Sequence, residues 1–276
     1  MKITILGSTG MLGYAVGQYF TVKYGEKDVC LSHRGRVVPY SKNVFYFDAL
    51  KFLNLLRNKQ FKFPKSDYII NCIGLIKQHK DWDTHDGLIL NSLFPLILSD
   101  HCKNNNSKLI NISTDCVFSG KDGNYTEEAL HDALDEYGKT KSLGESCKKK
   151  SMLIRTSIIG EELHNNVSLV SWVKSQNGKR INGYSNHIWN GVTTLQYAKL
   201  CSKIIDEDLY REGLYHVFSN SVNKYELVSM IVNHFNLNIT VDAFKTKMPC
   251  NRSLSTIKEI NNKLNVPLIQ KQIDNM

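Results

Sequence analysis

Tyr137 and Lys141, in the segment EYGKTK, are a pair of residues whose types and spacing could do acid–base chemistry. Their separation of four residues places both side chains on one face of a helix. A phenol with its ordinary pKa of about 10 transfers protons poorly at neutral pH unless a nearby ammonium favours the phenolate. Lys141 can supply that charge. Because the same spacing is common on solvated helix faces, the assignment depends on the neighbouring elements.

The stretch INISTDCVFSG, residues 110–120, supplies a third polar group. It begins as an apolar strand, and Thr114 follows where that strand should end. Ligands collect at the carboxyl ends of parallel strands, so Thr114 is expected to hydrogen-bond a carbonyl or an alcohol beside Tyr137. Thr114, Tyr137 and Lys141 together predict hydride chemistry at a carbonyl, with Tyr137 protonating the developing alkoxide. Cys116 lies two residues after Thr114 and is either a fourth catalytic group or a space-filling residue.

A glycine-rich loop, GSTGMLG, follows a predicted strand over residues 2–6 and opens a helix that runs to about Tyr24. Missing side chains at such a turn let a pyrophosphate approach the backbone at the helix N-terminus. The loop therefore predicts a dinucleotide cofactor. The expected contacts are Gly7, Thr9, Gly10, Met11, Leu12 and Gly13.

The end of the second predicted strand indicates which dinucleotide is bound. Its sequence, LSHRGR, carries no carboxylate for ribose hydroxyls but offers Ser32, His33 and Arg34 to a 2′-phosphate. NADP(H) is therefore predicted as the cofactor, with NADPH preferred over NADH. Asp48 is predicted to contact the adenine side. The segment NCIG places Cys72, Ile73 and Gly74 beside the cofactor channel.

Strands alternate with helical stretches along the first part of the chain, which predicts an α/β fold: a Rossmann-type doubly wound parallel sheet with a smaller C-terminal substrate-binding lobe. The predicted strands lie at 67–73, 108–113, 152–156 and 214–218, and the predicted helices lie near 88–103, 135–149, 167–176, 193–206 and 224–235. The first domain is expected to comprise residues 1–160, with 190–218 returning to it. The second lobe is expected to comprise 161–189 and 219–276.

Composition narrows the function classes. The 276 residues are 42% hydrophobic without any apolar run of the roughly 20 residues that a membrane span needs, so no membrane partner is predicted. The apolar run near the N-terminus breaks too early for a signal peptide, which predicts a cytoplasmic protein. Seven scattered cysteines without a C-x-x-C pair predict neither disulfides nor a metal site. The net charge of +9 is dispersed, which favours acidic small molecules over nucleic acid.

Several segments together resemble the extended short-chain dehydrogenase/reductases, and within them the dTDP-4-dehydrorhamnose reductase family. They are GSTGMLG, NCIG, LNSLFPLIL, STDCVFSG followed by YTEE, YGKTK, IRTSIIG, NGVTT, GLYHV and NRSLSTI, which cover nearly the whole chain. The resemblance implies a second lobe that holds a nucleotide sugar, and reduction of a UDP- or dTDP-linked 4-keto-6-deoxy sugar. The substrate contacts that it implies are Lys77, Asn91, Val117, Phe118, Asn190 and Arg252.

Cys116 departs from the usual pattern of that family, which carries tyrosine there. Cysteine two positions after the catalytic Ser or Thr resembles the GDP-fucose synthases and the plant bifunctional rhamnose synthases, where it acts in epimerisation next to the ketone. The resemblance therefore implies either a bifunctional 3-epimerase/4-reductase or a packing residue. Epimerisation needs a second acid or base, for which the sequence offers His164 and Lys174.

Other members of the superfamily leave alternatives open. The product of a reductase would be an L-rhamnose-type sugar such as UDP-N-acetyl-L-rhamnosamine or dTDP/UDP-L-rhamnose. A non-catalytic NADP-binding protein resembling the regulatory subunit of methionine adenosyltransferase is one alternative. An NAD-retaining nucleotide-sugar epimerase or dehydratase is another. A homodimer is one option for the assembly.

Overall fold

The computed structural model describes residues 1–36, 38–78, 82–162 and 167–276. Seven strands within these ranges form one parallel sheet in the order β3-β2-β1-β4-β5-β6-β11. The strand order reverses between β1 and β4, and the crevice at the carboxyl ends of such strands is where open α/β sheets bind ligands. The strands are β1 Ile3–Leu6, β2 Val29–His33, β3 Val44–Tyr46, β4 Tyr68–Asn71, β5 Lys108–Ser113, β6 Met152–Arg155 and β11 Gly213–His216.

Helices cover both faces of this sheet. On one face α1 packs against α7. An apolar cluster lies between these helices and the sheet, and its members include Ile3, Val16 and Ile204. On the other face α2 and α4 cover a second cluster centred on Phe47 and Phe94. The helices are α1 Met11–Tyr24, α2 Ala49–Arg57, α3 Thr84–Leu88, α4 Phe94–Asn104, α5 Glu136–Gly144 and α7 Thr194–Asp206. None of the helices described is both long and apolar enough to cross a bilayer.

The C-terminal part of the chain builds a separate apolar cluster, which includes Trp189, Leu227 and Ile269. Strands in this part of the chain form small sheets of two or three strands. The strands are β7 Ile158–Ile159, β8 Arg180–Tyr184, β9 His187–Trp189, β10 Val192–Thr193, β12 Val222–Asn223, β13 Thr240–Phe244 and β14 Cys250–Asn251. The helices are α6 Leu169–Ser175, α8 Lys224–His234, α9 Ile260–Leu264 and α10 Ile269–Ile273.

Two helices differ from the sequence-based expectation. The helix expected over 135–149 is α-helical only to Gly144 and continues as a tighter 3₁₀ turn, Glu145–Lys149. Helix C-termini often tighten in this way because their last carbonyls lack α-helical partners. The helix expected over 88–103 begins earlier, with α3, and reaches α4 through a wide π turn, Ile89–Leu93. The sequence analysis did not predict β3 and α2.

A buried ion pair joins the end of α5 to the sheet. Arg155 on β6 donates from Nε to Oε1 of Glu145 over 2.9 Å, and its Nη2 also bonds the Glu145 carboxylate. Ser113 at the end of β5 donates to the same carboxylate over 2.6 Å. The Nη1 of Arg155 lies 2.7 Å from Nε2 of His216, whose Nδ1 lies 2.7 Å from the Ser255 carbonyl. Since Nε2 must accept from Arg155, His216 is neutral with its proton on Nδ1.

We expect the free energy of unfolding to fall as the pH is lowered from about 6.5 to about 4. Burial, reinforced by Arg155, lowers the pKa of His216 to about 4. The unfolded chain therefore binds a proton in this window before the folded protein does, which costs at most about 1.4 kcal/mol of stability per pH unit. Glu145 adds to the loss only below its unfolded pKa of about 4.3. Burial raises the pKa of Glu145, but the hydrogen bonds and charge of Arg155 and the hydrogen bond from Ser113 outweigh burial and lower the pKa to about 2.

The measurement is urea unfolding of the wild type, His216→Gln and the exposed control His85→Gln between about pH 7 and about pH 5. The pH dependence should shrink in His216→Gln and persist in the control. An equal pH dependence in all three proteins would contradict the assignment.

Candidate active site

The glycine loop brings the N-terminus of α1 to the carboxyl end of β1. A Cβ on Gly13 would lie 2.0 Å from the Gly7 carbonyl oxygen, so only glycine permits this contact between helix and loop. Gly10 caps α1 without a side-chain hydrogen bond among the described residues. The first-turn N–H groups of α1 therefore remain available to an anion, and the backbone at Thr9, Met11 and Leu12 lies at this same point.

The predicted cofactor contacts at the end of β2 comprise one buried residue, Ser32, and two residues with accessible side chains, His33 and Arg34. Ser32 is buried, and its hydroxyl accepts from the Gly7 N–H over 2.8 Å. Its carbonyl accepts from the Ser8 hydroxyl over 2.6 Å, so Ser32 joins the glycine loop to β2. His33 is partly exposed and Arg34 is exposed, so both side chains are accessible to a 2′-phosphate.

Asp48, predicted to contact the adenine side, is the N-cap of α2. Its Oδ1 accepts from the Leu50 N–H over 3.1 Å, and the side chain is 14% exposed. The carboxylate therefore begins α2 at the end of β3, next to β2 in the sheet.

Asn91 has a structural role in place of the predicted substrate contact. Its amide accepts from the Leu75 N–H and donates to the Leu75 carbonyl, each over 2.9 Å. It also donates to the Thr140 hydroxyl over 3.1 Å and is 1% exposed. The Asn91 amide therefore joins α5 to the loop that follows Cys72, Ile73 and Gly74. Gly74 itself lies close to Lys141, because a Cβ on Gly74 would lie 3.9 Å from the Lys141 ammonium.

Thr114 begins a short 3₁₀ turn, Asp115–Val117, where β5 ends. Its hydroxyl accepts from the Cys116 N–H over 3.1 Å and donates to the Asp115 carboxylate over 3.2 Å. The predicted substrate residues Val117 and Phe118 have fully buried side chains that pack beneath this turn with Leu254. Their side chains support the turn, and any substrate contact from them must come from the backbone.

Helix α5 packs directly on this catalytic turn. Asp135 caps the helix by accepting from the Gly138 N–H over 2.7 Å, and it pairs with the Lys77 ammonium over 2.9 Å. A Cβ on Gly138 would lie 2.3 Å from the Cys116 carbonyl oxygen, so glycine is required for the approach. The contact places Tyr137, one residue earlier, beside Thr114 and Cys116.

The phenol of Tyr137 is held in its protonated form. Burial raises the pKa of Tyr137, the neighbouring Cys116 raises it further, and the Thr114 hydroxyl opposes the rise. The Lys141 ammonium donates to the Ile112 carbonyl over 3.0 Å, and burial lowers the pKa of Lys141. A protonated phenol suits the role of acid.

Cys116 lies against a cation. Its Sγ is 3.7 Å from Nη1 of Arg252, whose Nε donates to the Phe118 carbonyl over 2.9 Å. Burial raises the pKa of the Cys116 thiol to about 12, Asp115 adds to the rise, and Arg252 opposes it. The thiol is therefore protonated at neutral pH, with a guanidinium in place to stabilise its thiolate.

Asn190, another predicted substrate contact, binds the backbone of Leu254 with both ends of its amide. It donates to the Leu254 carbonyl over 2.8 Å and accepts from the Leu254 N–H over 2.9 Å. The amide thus positions the segment that carries Arg252.

Of the two candidates for a second acid or base, only Lys174 lies among the described residues. Lys174 pairs with Glu161 over 2.8 Å and lies 3.7 Å from the ring centroid of Phe235, away from the catalytic turn. His164 lies outside the described residues.

The sequence analysis missed Lys224, the first residue of α8. Its ammonium lies 5.0 Å from the ring centroid of Trp189. Burial lowers the pKa of Lys224, and the nearby Asp115 and Cys116 oppose that shift. The capping box formed by Asn223 and Glu226 predicts the start of a helix there. No sequence signal predicts that this start faces the catalytic turn.

The chain is similar to known proteins over most of its length. Residues 1–255 match the family model described as RmlD substrate binding domain. The sequence is 24% identical over 262 residues to methionine adenosyltransferase 2 subunit beta of Danio rerio, covering 86% of this chain and 74% of that protein. It is 29% identical over 128 residues to dTDP-4-dehydrorhamnose reductase of Aggregatibacter actinomycetemcomitans, covering 43% and 44% of the two chains.

A solved structure has the same fold. The crystal structure of dTDP-4-dehydrorhamnose reductase from Bacillus anthracis in complex with NADP superposes with a TM-score of 0.73 at 19% identity. The superposition covers 99% of this chain and 97% of that one. The expectation of a doubly wound parallel sheet is thereby confirmed.

Proposed function

We propose that this chain, which belongs to the RmlD substrate binding domain family, is an NADPH-dependent reductase of a nucleotide-linked 4-keto-6-deoxyhexose. One observation carries the proposal: α5 holds Tyr137 against the turn that begins at Thr114, at the carboxyl edge of the sheet. The uncapped N-terminus of α1 opens at the same edge. A proton donor and a dinucleotide site thus meet in one crevice.

A nicotinamide cofactor held at the glycine loop and the N-terminus of α1 would supply the hydride for the C4 ketone. The Thr114 hydroxyl would turn its proton from the Asp115 carboxylate to the ketone oxygen, and Tyr137 would give its phenolic proton to the alkoxide that forms. Lys141, held between α5 and the end of β5, carries the charge that favours the resulting phenolate once the proton has left. Bulk water then returns a proton to Tyr137.

The preference for NADPH rests on the end of β2. His33 and Arg34 lie there with exposed polar groups, and the segment LSHRGR carries no carboxylate to repel a 2′-phosphate. A guanidinium binds phosphate oxygens through charge-assisted hydrogen bonds. We assign the adenosine ribose of NADPH to this end of the sheet.

Residues 1–160 and 190–218 form the NADP-binding domain in this proposal, and residues 161–189 and 219–276 form the nucleotide-sugar lobe. Apolar clusters support most of this division: one contains Ile3 and Val217, and another contains Val170 and Leu227. Ile260 and Leu264 of the second lobe pack in the first of these clusters. Arg252 brings the second lobe to the catalytic turn through the Phe118 carbonyl.

The proposal extends to 3-epimerisation by Cys116, giving an L-rhamnose-type sugar such as UDP-N-acetyl-L-rhamnosamine or dTDP/UDP-L-rhamnose. Its support is the contact between Cys116 and Arg252, because a packing cysteine needs no cation. The thiolate would remove the proton from C3, next to the ketone, and the electron pair would pass to the ketone oxygen as an enolate. A proton from water would then return to the opposite face of C3, and the guanidinium would stabilise the thiolate.

A second candidate is a non-catalytic NADP-binding subunit that serves a partner protein. The similarity to methionine adenosyltransferase 2 subunit beta favours it, since that match spans most of the chain. The intact arrangement of Thr114, Tyr137 and Lys141 favours the enzyme.

Tyr137→Phe should abolish reduction, because the alkoxide loses its proton donor. We expect turnover to fall by a factor of about 10² to 10⁴ while NADPH affinity is retained. The measurement is NADPH oxidation with UDP- and dTDP-linked 4-keto-6-deoxy sugars, and Tyr184→Phe, on the exposed surface of the second lobe, is the control. NADPH binding without turnover in the wild type would favour the subunit, and unchanged turnover in Tyr137→Phe would remove the acid role.

Arg34→Ala should weaken NADPH binding roughly tenfold and leave NADH binding unchanged, because only NADPH carries the 2′-phosphate. Dissociation constants from cofactor fluorescence test this. Arg57→Ala, at the exposed end of α2, is the matched control. An unchanged ratio of the two affinities would place the phosphate elsewhere.

Cys116→Ser should stop deuterium uptake at C3 in D₂O, because a serine hydroxyl does not ionise in place of the thiol. Hydride transfer to a substrate already epimerised at C3 should continue. Mass analysis of the product separates the two activities, with Cys30→Ser on β2 as the control. Uptake that persists above the enzyme-free level would identify Cys116 as a packing residue.

A further inference from the structure

The start of α5 is contacted by the chain that precedes α3. Lys77 pairs with Asp135, the N-cap of α5, over 2.9 Å. Trp82 donates from its indole Nε1 to Oε2 of Glu136, the first residue of the helix, over 3.1 Å. The indole ring also meets the ring of Tyr137 edge-on, with the two ring centroids 6.3 Å apart. Three consecutive residues at the reactive end of α5 thus have partners outside the helix.

The phenol needs support from outside its own helix. Side chains on a helix point back towards its N-terminus and lie over the preceding turn. Tyr137 is only the second residue of α5, so no turn of this helix lies beneath its ring. Another element must therefore restrict the orientation of the ring, and the indole of Trp82 is in contact with it.

The indole of Trp82 is itself held in place. A Cβ on Gly87 would lie 3.0 Å from Cη2 of the indole, so α3 packs closely against one edge of the ring. The Thr84 hydroxyl donates over 2.6 Å to the same Glu136 oxygen that the indole N–H bonds. These bonds from Thr84 and Trp82 lower the pKa of Glu136, so the carboxylate is charged at neutral pH and accepts both. The indole is fixed between α3 and the first residue of α5.

We propose that Trp82 is a positioning residue for the reduction, an inference that rests on the proposed function. Its indole holds the ring of Tyr137 in the orientation from which the phenol donates to the substrate oxygen, and Glu136 fixes the indole through its N–H. Proton transfer requires donor and acceptor at hydrogen-bond distance, and a displacement of about 1 Å can slow a reaction about a hundredfold. Trp82 acts through Tyr137 and needs no contact with the substrate.

Steady-state kinetics of variants test this role. Trp82→Ala should lower kcat by about tenfold to a hundredfold and leave the KM of the ketosugar and the affinity for NADPH unchanged. Trp82→Phe keeps an aromatic ring and should retain most of kcat. Trp172→Ala removes a partly exposed tryptophan of the second lobe and is the matched control. In a Tyr137→Phe background, Trp82→Ala should cause no further loss of the residual turnover, because its effect passes through the phenol.

Carbon NMR of the full chain, with tyrosine isotopically labelled at Cζ, examines the ring without requiring turnover. The resonance of Tyr137 is the one that disappears in Tyr137→Phe. It should be single and sharp in the wild type and in Trp172→Ala. In Trp82→Ala it should broaden or split, because the ring then adopts more than one orientation.

Four results would overturn the proposal: a wild-type kcat in Trp82→Ala, a loss confined to KM, a further loss in the Tyr137→Phe background, or a single sharp Tyr137 resonance in Trp82→Ala. Its failure is separable from that of the proposed function. Reduction of a ketosugar with full kcat in Trp82→Ala would overturn only the role of Trp82. A Tyr137 resonance that depends on Trp82, in a wild type that reduces no ketosugar, would overturn the reductase and leave the indole as the support of the ring.

Discussion

The buried ion pair between Glu145 and Arg155 is the interaction on which the rest of the site depends. Two desolvated charges are stable only when each hydrogen-bonding position is satisfied, and here Ser113 and His216 complete the set. Removing one partner of such a pair typically costs about 3–5 kcal/mol, because the other charge remains buried. Glu145 directly follows α5, so the pair fixes the catalytic helix against β5 and β6.

With α5 fixed, close backbone approach determines where the reacting groups lie. Gly138 lets the helix touch the turn at Cys116, and Gly13 lets α1 touch the glycine loop. Both contacts lie at the carboxyl edge of the sheet, where the helix dipole of α1 favours an anion and burial keeps Tyr137 protonated. The second lobe closes the crevice with positive charge from Arg252 and Lys224. Donor and cofactor site thus face a single space.

Hydrogen-bond partners separate the residues that line this space from those that support it. The sequence predicts Ser32, Asn91 and Asn190 as ligand contacts. In the structure, the side chain of each forms hydrogen bonds with the protein backbone. A sequence motif marks such positions as constrained but does not say whether the partner is a ligand or the chain. Lys224 is a residue that no sequence motif marks: it begins α8, and its ammonium lies 5.0 Å from the Trp189 ring centroid.

The sequence by itself determined the parallel sheet, the glycine loop and the placement of Tyr137 and Lys141 on one helix. These features depend on local patterns: apolar runs such as ITIL, turn residues such as Gly7, and the four-residue spacing that places two side chains on one face of a helix. Only the tertiary structure decided that Lys141 bonds the Ile112 carbonyl, that Arg252 contacts Cys116 and that Lys224 faces the crevice. Each of these contacts joins elements distant in sequence, and side-chain partners at such distances are set by packing and register.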